Sequence, residues 1–120
     1  MSLAPSTQDA AIEPCAADRV QTLLELTESL SQIFEQENLA LAQSRADDIT
    51  SLQQEKARLA AAYAQSIQLV AADRTSITEV DPVLLARLRV ATEEFNARAA
   101  RQKGLLDRAG DQAAKLAEAI

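Results

Sequence analysis

Few residues of this chain have side chains that could carry out catalysis. The sequence contains no His, which removes the commonest general base and the commonest metal ligand. The single Cys15 has no His to activate its thiol and cannot form an internal disulfide. No glycine-rich phosphate-binding loop is present. We therefore expect no catalytic residues, no cofactor and no metal site, and a protein that is not an enzyme.

Pairs of neighbouring acidic residues are the remaining candidates for acid–base chemistry. Asp47 lies next to Asp48, and Glu35 lies two residues before Glu37. Residues one or two positions apart on a helix point in different directions, so neither pair converges on one substrate. We interpret these carboxylates as solvated surface.

The composition indicates which elements must position the remaining side chains. The 120 residues suit one domain and include 25 Ala and 16 Leu but only three aromatic residues. Charged residues make up 25%. This composition is typical of long helices that pack on other helices, and the scarcity of β-branched and aromatic residues disfavours a sheet. The predicted fold class is all-α.

The charge distribution bears on partners and location. The net charge is -6, and all of it belongs to residues 1–60, since residues 61–120 balance. An acidic chain repels a polyanion, which argues against nucleic acid as a partner. The N-terminus lacks a basic region followed by an apolar stretch, and no long apolar segment predicts membrane insertion. We expect a cytoplasmic protein.

The periodicity of apolar residues divides the chain into a tail and one helical domain. Residues 1–16 contain Pro5 and Pro14 without a sustained period and predict a disordered tail. Residues 17–120 then form a single helical domain: a helix over about 18–72, a connection over 73–81 and a helix over 82–120. Asp81 before Pro82 is a helix-start signal. Within the last helix, Glu94 and Arg98 are spaced to form an ion pair.

A lapse of the apolar stripe at residues 44–48 leaves two architectures open. In one, the first helix is unbroken and forms a long antiparallel hairpin with the last helix. In the other, it breaks near Asp47, Asp47 or Asp48 caps a new helix at Ile49, and a three-helix bundle results. Either way the core is thin and rich in Ala, and the surplus apolar stripe predicts self-association or capture of a helical partner.

Both glycines of the chain, Gly104 and Gly110, lie in the last helix. Each costs about 1 kcal/mol relative to Ala inside a helix. One interpretation is local weakness or a helix end. The other is that small residues let another helix approach closely.

Two stretches are similar to flagellar export chaperones of the FlgN type. Residues 24–59 match the family's Leu-rich first helix, then Glu and Asn followed by small residues and Leu, an Arg-Asp break, and a Leu-x-x-x-Lys-x-x-Leu run. The counterparts in this sequence are Glu37, Asn38, Leu39, Leu41, residues 45–48, Leu52, Lys56 and Leu59. In the second half, Phe95, Asn96 and the run RQKGLLDRA resemble the family's Asn-rich segment with paired Leu. The likeness spans about residues 20–120, although residues 101–103 stand where the family often has Asn.

The resemblance implies a small cytoplasmic chaperone that keeps hook-associated (hook–filament junction) proteins unpolymerised before flagellar export. Its partners would be the helical termini of these proteins, and self-association is a second expectation. The last helix is the predicted binding face, and the alternative is that the same side chains only close the bundle. These partner-binding residues are Leu105, Leu106, Ala109, Ala113, Leu116 and Ile120. A competing hypothesis is a structural coiled-coil or helical-bundle subunit that self-associates permanently.

Overall fold

Residues 15–119, which the computed structural model describes, form four helices and contain no strand. The helices are α1 (Ala16–Ala42), α2 (Ala46–Ala72), the short α3 (Arg74–Ile77) and α4 (Pro82–Ala119). The prediction of an all-α fold is confirmed. Residues 1–14 of the expected tail and the predicted contact Ile120 lie outside the described residues.

The first helical stretch is broken, so the chain adopts the three-helix alternative. Ser44 takes the left-handed conformation with φ 56°, and the Arg45 amide donates to the carbonyl of Ala40 at 2.8 Å. A left-handed residue followed by this backward hydrogen bond is a standard way to end an α-helix. The new helix begins at Ala46, so Asp47 and Asp48 lie in its first turn and do not cap it, contrary to the prediction.

Contacts between the three long helices establish an up-down-up arrangement. The side chains of Arg19 and Asp73 meet at 3.2 Å, and those of Glu37 and Gln53 at 3.0 Å, so α1 and α2 are antiparallel. Phe34 contacts Phe95, and Glu37, a turn further on, contacts Gln102. Because both partners advance in the same direction, α4 runs parallel to α1.

The connection between α2 and α4 contains the short helix α3. Asp81 accepts a hydrogen bond from the Val83 amide through Oδ1 at 2.9 Å, so it caps α4 in the way that its position before Pro82 predicts. Val80 is buried beside this cap.

The core follows α1, which packs against both α2 and α4. Phe95 of α4 joins the other two helices, with ring centroids 5.1 Å from Phe34 and 5.5 Å from Tyr63. The apolar side chains at the start of α1, which an unbroken first helix would leave uncovered, are buried. The buried apolar residues are Val20, Leu23, Leu24, Leu30, Ile33, Ala40, Leu59, Val80 and Ala91.

The helices have unequal lengths, and α4 extends past the end of the bundle. The 27 residues of α1 span about 40 Å, whereas the 38 residues of α4 span about 57 Å. Beyond the buried Gln102, every described residue of α4 is exposed except the half-buried Leu105. We refer to residues 103–119 as the projecting segment. Within residues 15–119, no helix combines the length and apolar character needed to cross a membrane.

Candidate functional site

The projecting segment carries most of the predicted partner-binding residues. Leu106 is 51% and Leu116 64% exposed, and Ala109 and Ala113 are exposed. Leu105 is half-buried where the segment leaves the bundle. Within the described part of the chain, these four exposed residues do not close the intramolecular core. Their binding of a partner stays a prediction.

Leu106, Ala109, Ala113 and Leu116 form an exposed stripe along the projecting segment. This stripe continues the face by which α4 packs against the bundle. Steps of three or four residues lead from Leu88 and Phe95 through Gln102 to Leu106, which keeps one azimuth on a helix. Below Gln102 this face lies against α1, whereas above it the face is largely exposed, apart from the side of Leu106 that lies beside Leu41 and Ile49. An apolar helix face of this kind can bury itself only against a further helix or a comparable apolar surface.

A small pocket lies where the stripe meets the bundle. Its volume is about 80 Å³, and its apolar wall is formed by Leu41 of α1, Ile49 of α2 and Leu106 of α4. Sequence reasoning did not include Leu41 and Ile49 in the binding face. Leu41 and Ile49 lie on either side of the connection at residues 43–45. A tight connection between antiparallel helices brings both residues to one end of the bundle, and this position in the sequence could have identified them.

A buried carboxylate forms the polar floor of this pocket. Glu37 is 1% exposed, and its Oε1 forms an ion pair with Lys56 Nζ at 2.9 Å and accepts a hydrogen bond from Gln102 Nε2 at 2.8 Å. Its Oε2 accepts a hydrogen bond from Gln53 Nε2 at 3.0 Å. The interpretation of Glu37 as solvated surface is therefore wrong. This polar cluster, Glu37 with Gln53, Lys56 and Gln102, connects all three long helices at the point from which α4 projects.

Lys56 is held by further contacts on two sides. Its Nζ donates to Gln102 Oε1 at 3.1 Å and lies 4.4 Å from the centre of the Phe34 ring. The attraction between an ammonium group and an aromatic face adds to the ion pair with Glu37. Burial raises the pKa of the nearby Tyr63 phenol, which stays protonated at neutral pH.

A second set of polar contacts fixes α4 against α1 one turn lower. Arg98 pairs with Glu35 at 3.1 Å and donates through Nη1 to Ser31 Oγ at 2.9 Å, so it does not serve the predicted pair with Glu94. Asn38 donates through Nδ2 to the Arg98 carbonyl at 3.0 Å. Among the described residues, Asn38 Oδ1 is a buried atom without a hydrogen-bond partner. These directional contacts define the register of α4 on α1.

Neither glycine is required by packing within the chain. α4 continues through Gly104 and Gly110, so neither marks a helix end. A Cβ atom added at either position would meet no atom of the described chain within 4 Å. The helix therefore carries the destabilisation of two glycines that no contact within residues 15–119 explains.

A second groove lies between α1 and α2 at the opposite end of the bundle. Its volume is about 300 Å³, and its apolar lining comes from Leu26, Ala62 and Leu69. Leu69 is 48% exposed. This groove does not contact the projecting segment and serves below as the alternative location for a bound partner.

A metal ion would need a group of ligating side chains among the described residues. Within residues 15–119, no three His, Cys, Asp or Glu side chains group together in a way that could hold a metal ion. Cys15 is exposed at the start of α1.

Comparisons of the chain with protein-family models, with curated proteins and with solved structures find no match.

Proposed function

We propose that this chain is a non-enzymatic cytoplasmic export chaperone that binds the helical termini of hook-associated flagellar proteins and keeps them soluble before secretion. The projecting segment is its binding surface. The proposal requires neither nucleic acid nor membrane insertion. The resemblance of residues 24–59 and of the run RQKGLLDRA to FlgN-type chaperones also supports the proposal.

The observation that carries the proposal is the uncovered apolar face of the projecting segment. Leu106 and Leu116 are more than half exposed on a helix that has left its own bundle. Complete burial of an exposed Leu side chain contributes about 1.5–3 kcal/mol, so the exposed half of each Leu contributes about half of that against a partner helix. The intervening Ala109 and Ala113 contribute less, so the affinity stays moderate, as suits a holder that must release its cargo.

The polar cluster supports this use of the face. Glu37 and Lys56 occupy positions that the resemblance singles out, and they meet Gln102 at the last buried turn of α4. Because α4 is fixed at this level, the described residues in its turns after Leu106 are all exposed. A client terminus that is disordered alone and helical when assembled can pack along these turns.

The test is light scattering of the purified chain mixed with terminal segments of hook–filament junction proteins. We expect a discrete complex whose mass equals the sum of one chain and one segment. A permanent structural subunit would instead keep one self-associated mass with or without the segments. That second outcome would contradict the proposal and favour the coiled-coil alternative.

A further inference from the structure

We infer that two copies of this chain pair through their projecting segments, antiparallel and reversibly. The inference does not depend on the proposed function, since it concerns the chain without a client. It begins from the order of side chains on the exposed face. Leu106, Ala109, Ala113 and Leu116 follow one another in steps of three, four and three residues.

This order reads the same in both directions. When two such helices lie antiparallel with their centres at residue 111, Leu106 of each copy faces Leu116 of the other. Ala109 of each copy then faces Ala113 of the other. The same patch thus serves both copies, which is the requirement for a two-fold symmetric interface.

Charges do not oppose this pairing. At 100° per residue, the charged side chains after Leu105 all lie at least about 120° from the centre of the stripe. These are Asp107, Arg108, Asp111, Lys115 and Glu118. With Lys103, the segment carries three positive and three negative groups, whereas the whole chain carries -6. The two overlapping segments therefore add no net repulsion of their own, unlike the acidic first half of the chain.

The antiparallel pairing would account for the glycine at position 110. Gly110 lies about 80° from the centre of the stripe, at the level of the two-fold axis and on the flank of the helix pair. No contact within the described chain explains the absence of a side chain there. Small residues at a helix crossing let the backbones approach and improve packing between Ala side chains.

The bundle determines the orientation. Below Gln102 the same face of α4 is already covered by α1. Parallel pairing would bring two bundles, each lying on that face, into the same space, whereas antiparallel pairing places them at opposite ends. The overlap from Leu106 to Leu116 is only about 15 Å long, so the interface stays below the size of stable dimers, and exchange with monomer is expected.

Engineered cysteines test the pairing directly. In a Cys15→Ser background, Gln112→Cys places a thiol beside the two-fold axis, so that residue 112 of one copy lies next to residue 112 of the other. Ala114→Cys is the matched control, because its side chain points away from the interface. Under mild oxidation without any client, we expect the Gln112→Cys chain to form disulfide-linked dimers at least about tenfold faster than the control.

Sedimentation equilibrium supplies the second measurement. The chain without added cysteines should show a concentration-dependent monomer–dimer equilibrium. Leu106→Glu with Leu116→Glu should raise the dissociation constant at least about 100-fold, because four Leu side chains lose their partners. Val83→Glu with Val90→Glu, on exposed positions of α4 outside the segment, should leave it unchanged. Equal cross-linking at positions 112 and 114, a purely monomeric chain, or a dimer insensitive to the Leu substitutions would each overturn the inference.

Discussion

Replacing Leu106 and Leu116 with Glu is expected to weaken binding of a client segment at least about 100-fold, because two apolar contacts are lost and two charges are placed against an apolar helix. Both side chains are more than half exposed and neither belongs to the buried core, although Leu106 borders Leu41 and Ile49. The helicity and the thermal midpoint of the variant should therefore match those of the unmodified chain. Isothermal titration and circular dichroism measure the two properties separately.

Val83→Glu with Val90→Glu is the control for this pair. Val83 is 67% and Val90 56% exposed, and both lie on α4 within the length of the bundle. This variant carries the same added charge and should bind the client normally. If the Leu variant loses its helical signal, the residues belong to the core and the proposed binding face is wrong. Unchanged affinity would reject the face equally.

The second large effect is expected from Glu37→Leu, which should lower the free energy of unfolding by about 3 kcal/mol. The substitution removes the acceptor of two hydrogen bonds and one ion pair, and it leaves Lys56, Gln102 and Gln53 facing an apolar side chain. Breaking a buried ion pair by removing one partner costs more than the pair itself contributes, because the other charge stays desolvated. Urea denaturation followed by circular dichroism measures the change.

Two comparisons isolate the buried charge as the cause. Glu35→Leu removes the ion-pair partner of Arg98. Because the Glu35 side chain is 30% exposed, this substitution should lower the free energy of unfolding by less than about 1 kcal/mol. Glu37→Leu combined with Lys56→Leu should recover most of the stability, since no unpaired charge remains. If Glu35→Leu and Glu37→Leu destabilise equally, the polar cluster does not hold the three helices together in the way described.

Much of the fold follows from local sequence features. The all-α class follows from the Ala and Leu content, and the start of α4 follows from Asp81 and Pro82, whose capping chemistry acts within one turn. The break in the first helical stretch has a local signal too, the lapse of apolar residues near Asp47. Its mechanism was not predictable from that signal, because α1 ends on the left-handed conformation of Ser44, a residue that does not favour it.

The site was harder to predict because its features depend on tertiary register. We predict Glu37 on the surface because its side chain and that of Glu35 point in different directions, although Glu37 lies at helical spacing between Phe34 and Leu41 on the buried stripe. Its partners Lys56 and Gln102 come from other helices, and no periodicity within α1 identifies them. Likewise, the apolar stripe of α4 keeps the same helical spacing along its whole length. Which residues of α4 are exposed therefore depends on where α1 ends, and the stripe itself does not indicate this.

The most direct test of the proposed binding face is hydrogen exchange of backbone amides, measured with and without a client segment. At concentrations where the chain alone is monomeric, the projecting segment should exchange fast, because it has few buried contacts to protect it. With the client, we predict slowed exchange across residues 103–119 and unchanged exchange in α1 from Val20 to Leu30. Protection that appears instead around Leu26 and Leu69, or nowhere in the chain, would contradict the assignment of this segment as the binding surface.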